Sequence, residues 1–240
     1  MNKTISKILF WVIIYSIAMA FLESSVVIYL RKLYYPEGFN FPLKIMHKDI
    51  IVTEFLRELA TLIMLVSISC IAAKTFIERF AYFIISFAIW DIFYYVFLWL
   101  LLGWPRSLFT WDILFLIPVT WTGPVISPVI CSFLMILLGL IILLLKNKTN
   151  NKLKFIEWFF LLAGSITVII SFIYDYLIFL RKFYTWKQII FYDWYKNSPA
   201  LAESYIPEHF PWFIFIAGIT IIVFGIMFYL LRMKRQLKAR

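Results

Sequence analysis

The stretch Ile50–Ala73, IIVTEFLRELATLIMLVSISCIAA, decides the fold. It is long enough to cross a bilayer, which takes about 20 apolar residues in helical form. It nevertheless carries Glu54, Arg57 and Glu58. A charge near the bilayer centre costs roughly 3 kcal/mol, so such residues face a bundle interior or a wet cavity. Glu54, Arg57, Glu58 and Thr61 follow i, i+3, i+4, i+7 spacing and share one helix face. One helix cannot hide that face from lipid. Other spans must cover it, and the chain is expected to be polytopic.

The composition agrees. Of 240 residues, 64% are hydrophobic and 26 are Phe, with a mean hydropathy of +0.91. Soluble domains hold about 45–50% apolar residues. The chain reads as one integral membrane domain over 1–240, an all-α bundle of about six transmembrane helices. The spans are Leu9–Leu30, Ile50–Ala73, Phe80–Leu102, a broken region from Trp111 to Leu145, Phe155–Leu180 and Trp212–Leu231. The first is too long, and too polar in its second half, for a signal peptide. The fourth region contains Pro118, Gly123, Pro124 and Pro128. This predicts a broken or re-entrant start, then a helix from about Val129. Non-helical backbone at membrane depth must be buried in protein or line a cavity. Between Gly103 and Pro124, Trp, Gly and Pro recur at short intervals, which suits a packed lid or cap. Phe183–Tyr195 reads as an interfacial helix in an aromatic belt.

Six spans put both termini on one side. That side collects 13 basic residues: Lys3, Lys7, Lys74, Arg79, Lys146, Lys148, Lys152, Lys154, Arg232, Lys234, Arg235, Lys238 and Arg240. The opposite side holds 9. The bias predicts cytoplasmic termini in a cell membrane. The net charge of +10 thus reflects topology, and no nucleic-acid partner is expected. Cys70 and Cys131 lie in apolar runs and read as core residues.

The polar residues inside the spans are the candidate site: Glu23, Glu54, Arg57, Glu58, Asp91, Tyr94, Tyr95 and Asp175. Asp91, Tyr94 and Tyr95 share a face of the third span. Thr167, Ser171 and Asp175 share one of the fifth. Glu23 lies beside Ser24 and Ser25 in the first. All these acids fall at middle or outer depth and none in the inner half, so they are expected to converge. Five acids face one intramembrane arginine. A rim arginine (Arg31, Arg106 or Arg181), protonation by burial, or a bound cation can relieve the imbalance. Arg57 is expected to meet an acid of another helix, Asp91 first. A purely structural salt-bridge cluster around Arg57 is the competing reading. His47 and His209 are the only histidines and are weak metal candidates. Two cannot build a histidine-rich di-iron site or two bis-His haems, and no span holds a Lys for a retinal Schiff base. No resident cofactor is expected.

Trp90–Tyr95 (WDIFYY), Gly103-Trp104-Pro105, Thr110-Trp111-Asp112, Leu116-Ile117-Pro118 and Gly123-Pro124 are fairly specific motifs. With Glu54–Glu58 they resemble an uncharacterised family of small polytopic prokaryotic membrane proteins. The resemblance covers about the first half of the chain and implies membrane location, not an activity. The leading expectation is binding or transport of an ion or small polar solute, by a chain that is small unless it oligomerises. Broken helices beside a charged cavity are a transporter device. An intramembrane enzyme acting on a lipid-linked substrate is the first alternative. It ranks lower because no phosphate-binding Gly loop and no nucleophile–base signature is present. An accessory or structural subunit of a membrane complex is the second.

Overall fold

The computed structural model describes residues 3–44, 46–115, 119–146, 152–190 and 204–238. Six helices are long and apolar enough to span a membrane. They are α1 (Lys3–Tyr34), α2 (Lys48–Ala72), α3 (Phe76–Leu102), α4 (Ile126–Leu145), α5 (Phe155–Arg181) and α7 (Trp212–Lys238). The short α6 (Trp186–Ile190) and a two-stranded antiparallel hairpin, β1 (Trp111–Phe115) and β2 (Trp121–Pro124), complete the described elements. The chain is an all-α, multi-pass integral membrane protein.

Leu9, Val12, Ile77, Ile142, Leu143, Leu153, Ile226 and Met233 belong to one buried cluster. That cluster gathers the start of α1, the α2–α3 connection, the end of α4, the start of α5 and the end of α7. The start of α1, the end of α7 and the described basic residues Lys74, Arg79, Lys146, Lys152 and Lys154 therefore lie at one end of the bundle, called the basic end.

α3 is the central helix, packing against α1, α2 and α4, while α5 pairs with α7. The α5–α7 contact depends on two glycines. A Cβ on Gly164 would stand 2.8 Å from the Gly218 carbonyl oxygen, and one on Gly218 would stand 3.0 Å from that of Gly164. Backbones approach this closely where small residues replace side chains, as is common between membrane helices.

The segment expected as a broken or re-entrant helix is instead the β1–β2 hairpin. Gly103 ends α3 in the left-handed region (φ 65°), its N–H bonded to Trp99 O. Glycine adopts that conformation without a Cβ penalty. Trp111 pairs with Pro124 and Asp112 with Gly123. The Ile126 N–H then bonds to Leu108 O at 2.8 Å as α4 begins. Pro128 lies in the first turn of α4, where no intrahelical donor is needed. Sheet pairing satisfies the backbone that the prolines deny to a helix. Of the expected interfacial helix, residues 186–190 are α6, and 191–195 lie outside the described residues.

Candidate polar site

α2 is inside out. Its buried positions are Glu54, Glu58, Thr61, Leu65 and Ser69, while Val52, Phe55, Leu56, Leu59, Ile63, Met64 and Val66 are exposed. In lipid this is the stable arrangement, because the polar stripe alone needs shelter.

Arg57 is the centre of a first group. Its Nε and Nη2 donate to Glu54 Oε2 at 2.9 and 2.7 Å. Its Nη1 pairs with Glu23 Oε1 on α1, and Thr61 donates to Glu23 Oε2 at 3.1 Å. Arg57 thus meets an acid of another helix, but that acid is Glu23 rather than the expected Asp91. Asp91 turns toward α4, where Ser132 Oγ donates to its Oδ2 at 2.8 Å. Glu23 lies on the helix that borders α2 at Arg57 height, and Glu54 sits one turn away on the same face.

A second group closes the end of the bundle opposite the basic end. Arg31, at the end of α1, donates from Nη2 to Asp112 Oδ1 of β1 at 3.0 Å. Its guanidinium carbon lies 3.7 Å from the Trp104 ring centroid and 4.5 Å from that of Phe39. Arginine suits such stacking because its guanidinium is planar and weakly hydrated. Asp112 is 1% exposed. Burial pushes its carboxyl up to about 6, against the opposing pull of Arg31. The Tyr95 hydroxyl reaches this carboxylate. Even so, Asp112 Oδ2 and Arg31 Nη1 lack partners that meet hydrogen-bond geometry.

Tyr94 and Tyr95 link these groups. Tyr94 lies within electrostatic reach of Arg31, Asp112, Glu23 and Arg57. Tyr95 lies within reach of Asp91, Asp112 and Arg31. Ser24 Oγ of α1 donates to the Tyr94 carbonyl at 3.1 Å and fixes the α1–α3 contact here. Asp91, Tyr94 and Cys131 are half-buried, and Tyr95 is buried.

Asp175 makes its contacts elsewhere. Its Oδ2 accepts from the Tyr205 hydroxyl at 2.8 Å and its Oδ1 from the His209 N–H at 3.3 Å. The Tyr205 oxygen also lies 2.8 Å from Thr122 Oγ1 of β2. Tyr205 spends its one proton on Asp175, so it accepts from Thr122. Burial pushes the Tyr205 hydroxyl up, which keeps it a donor. Asp175 thereby ties β2 and the 204–210 segment to α5. The acids expected at a common depth are divided between this tie and the chain of groups around Arg57, Tyr94 and Asp91.

Two further acids, outside the candidate set, are buried at the basic end: Glu78 and Glu157, 6% and 1% exposed. Lys146 Nζ lies 2.5 Å from Glu78 Oε2. Arg232 donates to both oxygens of Glu157 at 2.6 and 2.7 Å. Each acid sits in the first turn of its helix, where the helix dipole favours negative charge.

His47 and His209 are exposed, near the starts of α2 and α7. Among the described residues no group of three His, Cys, Asp or Glu is arranged to hold a metal ion. Arg31, Asp112, Ser132 and Tyr205 lie outside the candidate set that the sequence supports. Arg31 stands out in the sequence only as one of three rim arginines, and Asp112 only as part of the Trp/Gly/Pro segment. Nothing local marks Ser132.

No family model, no curated protein and no solved structure matches the chain.

Proposed function

We propose that the protein binds a small cation, the proton included, at Asp91 and passes it between the bundle interior and the hairpin end. One observation carries this reading. Asp91 is half-buried within a membrane-spanning helix, its bonded partner is the neutral Ser132, and no described Lys or Arg pairs with it. Arg31 and Arg57 are committed to Asp112, Glu23 and Glu54. A carboxylate in such a place requires a proton or a cation to neutralise it. Tyr94 and Tyr95 connect Asp91 to the Arg31–Asp112 pair, which the Trp104 and Phe39 rings cover. That pair is the exit toward the hairpin side. The basic-residue bias supports a cell membrane with both termini, and hence the basic end, in the cytoplasm.

The test is flux in reconstituted vesicles. Asp91→Asn keeps the shape and removes the charge. Proton or monovalent-cation flux, followed by an entrapped pH dye and by radiolabelled rubidium, should be present in the unaltered protein and abolished in Asp91→Asn. The melting temperature should change by less than about 4 °C, the effect of roughly 1 kcal/mol in a domain of this size. Flux that survives the substitution would remove Asp91 from the path.

A further inference from the structure

α5 presents an open apolar groove to the bilayer at the basic end, with a volume of about 490 Å³. It is lined by Phe155, Trp158, Phe159, Leu162, Ala163 and Ile166. From Phe155 to Ile166 a helix rises about 16 Å. That is close to half the roughly 30 Å hydrocarbon core, the depth of a single leaflet. The groove therefore begins at the interface and ends near the midplane, the path of one acyl chain.

Its mouth is built for a headgroup. Lys152 and Lys154 immediately precede Phe155 and are exposed. Lys74 and Arg79 flank Phe76, whose ring lies 6.1 Å from Trp158, and both are exposed. The Phe80 ring, 4.9 Å from Trp158, joins α3 to the same wall. Phe155 and Phe76 are 85% and 72% exposed and project outward at this level. The buried acids nearby are already neutralised, Glu78 by Lys146 and Glu157 by Arg232. No described carboxylate pairs with Lys74, Arg79, Lys152 or Lys154. Four cations at the mouth of a groove one leaflet deep match an anionic headgroup on an apolar tail.

We infer that this groove is a binding site for an anionic phospholipid of the leaflet at the basic end. An acyl chain lies along Phe155–Ile166, and the phosphate sits among Lys152, Lys154, Lys74 and Arg79. The site is independent of the Asp91 reading. Trp158 is a built-in reporter, because its ring packs at the groove wall.

The full-length protein is reconstituted in vesicles in which either phosphatidylglycerol or phosphatidylcholine carries brominated chains, which quench nearby tryptophan. Subtracting the signal of Trp158→Phe isolates the Trp158 share. Brominated phosphatidylglycerol should quench that share with at least about five-fold higher relative affinity, the effect of one interfacial cation. The Lys152→Ala/Lys154→Ala variant should bring the two lipids together while leaving quenching by phosphatidylcholine in place. That residual quenching also reports that the groove is still folded. Ala163→Phe, which fills the groove from one side, should lower quenching by both lipids. Equal quenching by the two lipids in the unaltered protein overturns the inference. So does a preference that persists after all four cations are replaced by Ala.

Discussion

The Arg31 guanidinium donates to Asp112 Oδ1 at 3.0 Å and joins residues 81 positions apart in the chain. This pair seats the β1–β2 hairpin on the end of α1. Both side chains are buried, at 9% and 2% exposure. A buried pair contributes little net stability when intact, but removing one partner strands the other. Arg31→Met should therefore destabilise the protein by about 3–5 kcal/mol. Arg31→Met/Asp112→Leu should recover most of that loss. Thermal unfolding in detergent across this cycle measures both. A double variant no more stable than Arg31→Met would show that the hairpin depends on something other than charge balance.

The same pair gives a pH dependence. Burial lifts the Asp112 carboxyl to about 6, above its ordinary value near 4. For an acid with a raised folded pKa, the folded state holds the proton more tightly than the unfolded state. Stability is then greatest below the ordinary value and declines as pH rises through the window from about 4 to about 6, levelling off above it. The titratable groups facing Asp112 are Arg31, Tyr94, Tyr95 and Asp91. Melting temperature should fall across this window, and Asp112→Asn should flatten that decline. A slope of opposite sign at Asp112 would mean that Arg31 outweighs desolvation.

Arg57 offers a contrast, because it serves two carboxylates on two helices. Arg57→Leu strands Glu23 and Glu54 and should cost about 3–5 kcal/mol. Arg57→Lys keeps the charge but loses the planar fork, so it should recover only part of the stability. Differential scanning fluorimetry of both variants checks the order. Unchanged melting in Arg57→Leu would mean that the two carboxylates are already protonated or wet.

The α5–α7 seam is the tightest backbone contact among the described glycines. A Cβ at Gly218 would meet Val168 Cγ2 at 2.8 Å, Val168 N at 2.9 Å and the Gly164 carbonyl oxygen at 3.0 Å. Backbone atoms cannot step aside as a flexible side chain can. Gly218→Val should cost about 1–3 kcal/mol by overpacking and force the helices apart. Gly103→Ala should also destabilise, but for another reason. A Cβ there meets nothing within 4 Å, and only its positive φ is strained. Melting temperatures of the two variants, with cross-linking between α5 and α7, separate a packing defect from a local one.

Orientation is testable with single cysteines in a Cys70→Ala/Cys131→Ala background. Lys152 and Lys44 are both exposed and lie at opposite ends of the bundle. An impermeant maleimide added to intact cells should label Lys44→Cys and spare Lys152→Cys until the membrane is opened. The reverse pattern would invert the topology and place the lipid groove in the outer leaflet.

The sequence alone determined the six spans, the shared end of the termini and the polar face of α2. These follow from local quantities. Apolar length is summed along the chain, basic residues flank the spans, and 3.6-residue periodicity places Glu54, Arg57, Glu58 and Thr61 together. The tertiary structure decided which charge meets which. Arg57 had several acids at suitable depth, and only the juxtaposition of α1 with α2 selects Glu23. Asp91 was legible as a buried acid, but its turn toward Ser132 depends on how α3 rotates against α4. The Trp/Gly/Pro segment was legible as ordered backbone, but its hairpin depends on pairing across a turn, which helical periodicity does not encode. Arg31 and Asp112 became partners for the same reason. Hydropathy measures what each residue costs in lipid, whereas partner choice is a property of distances between helices.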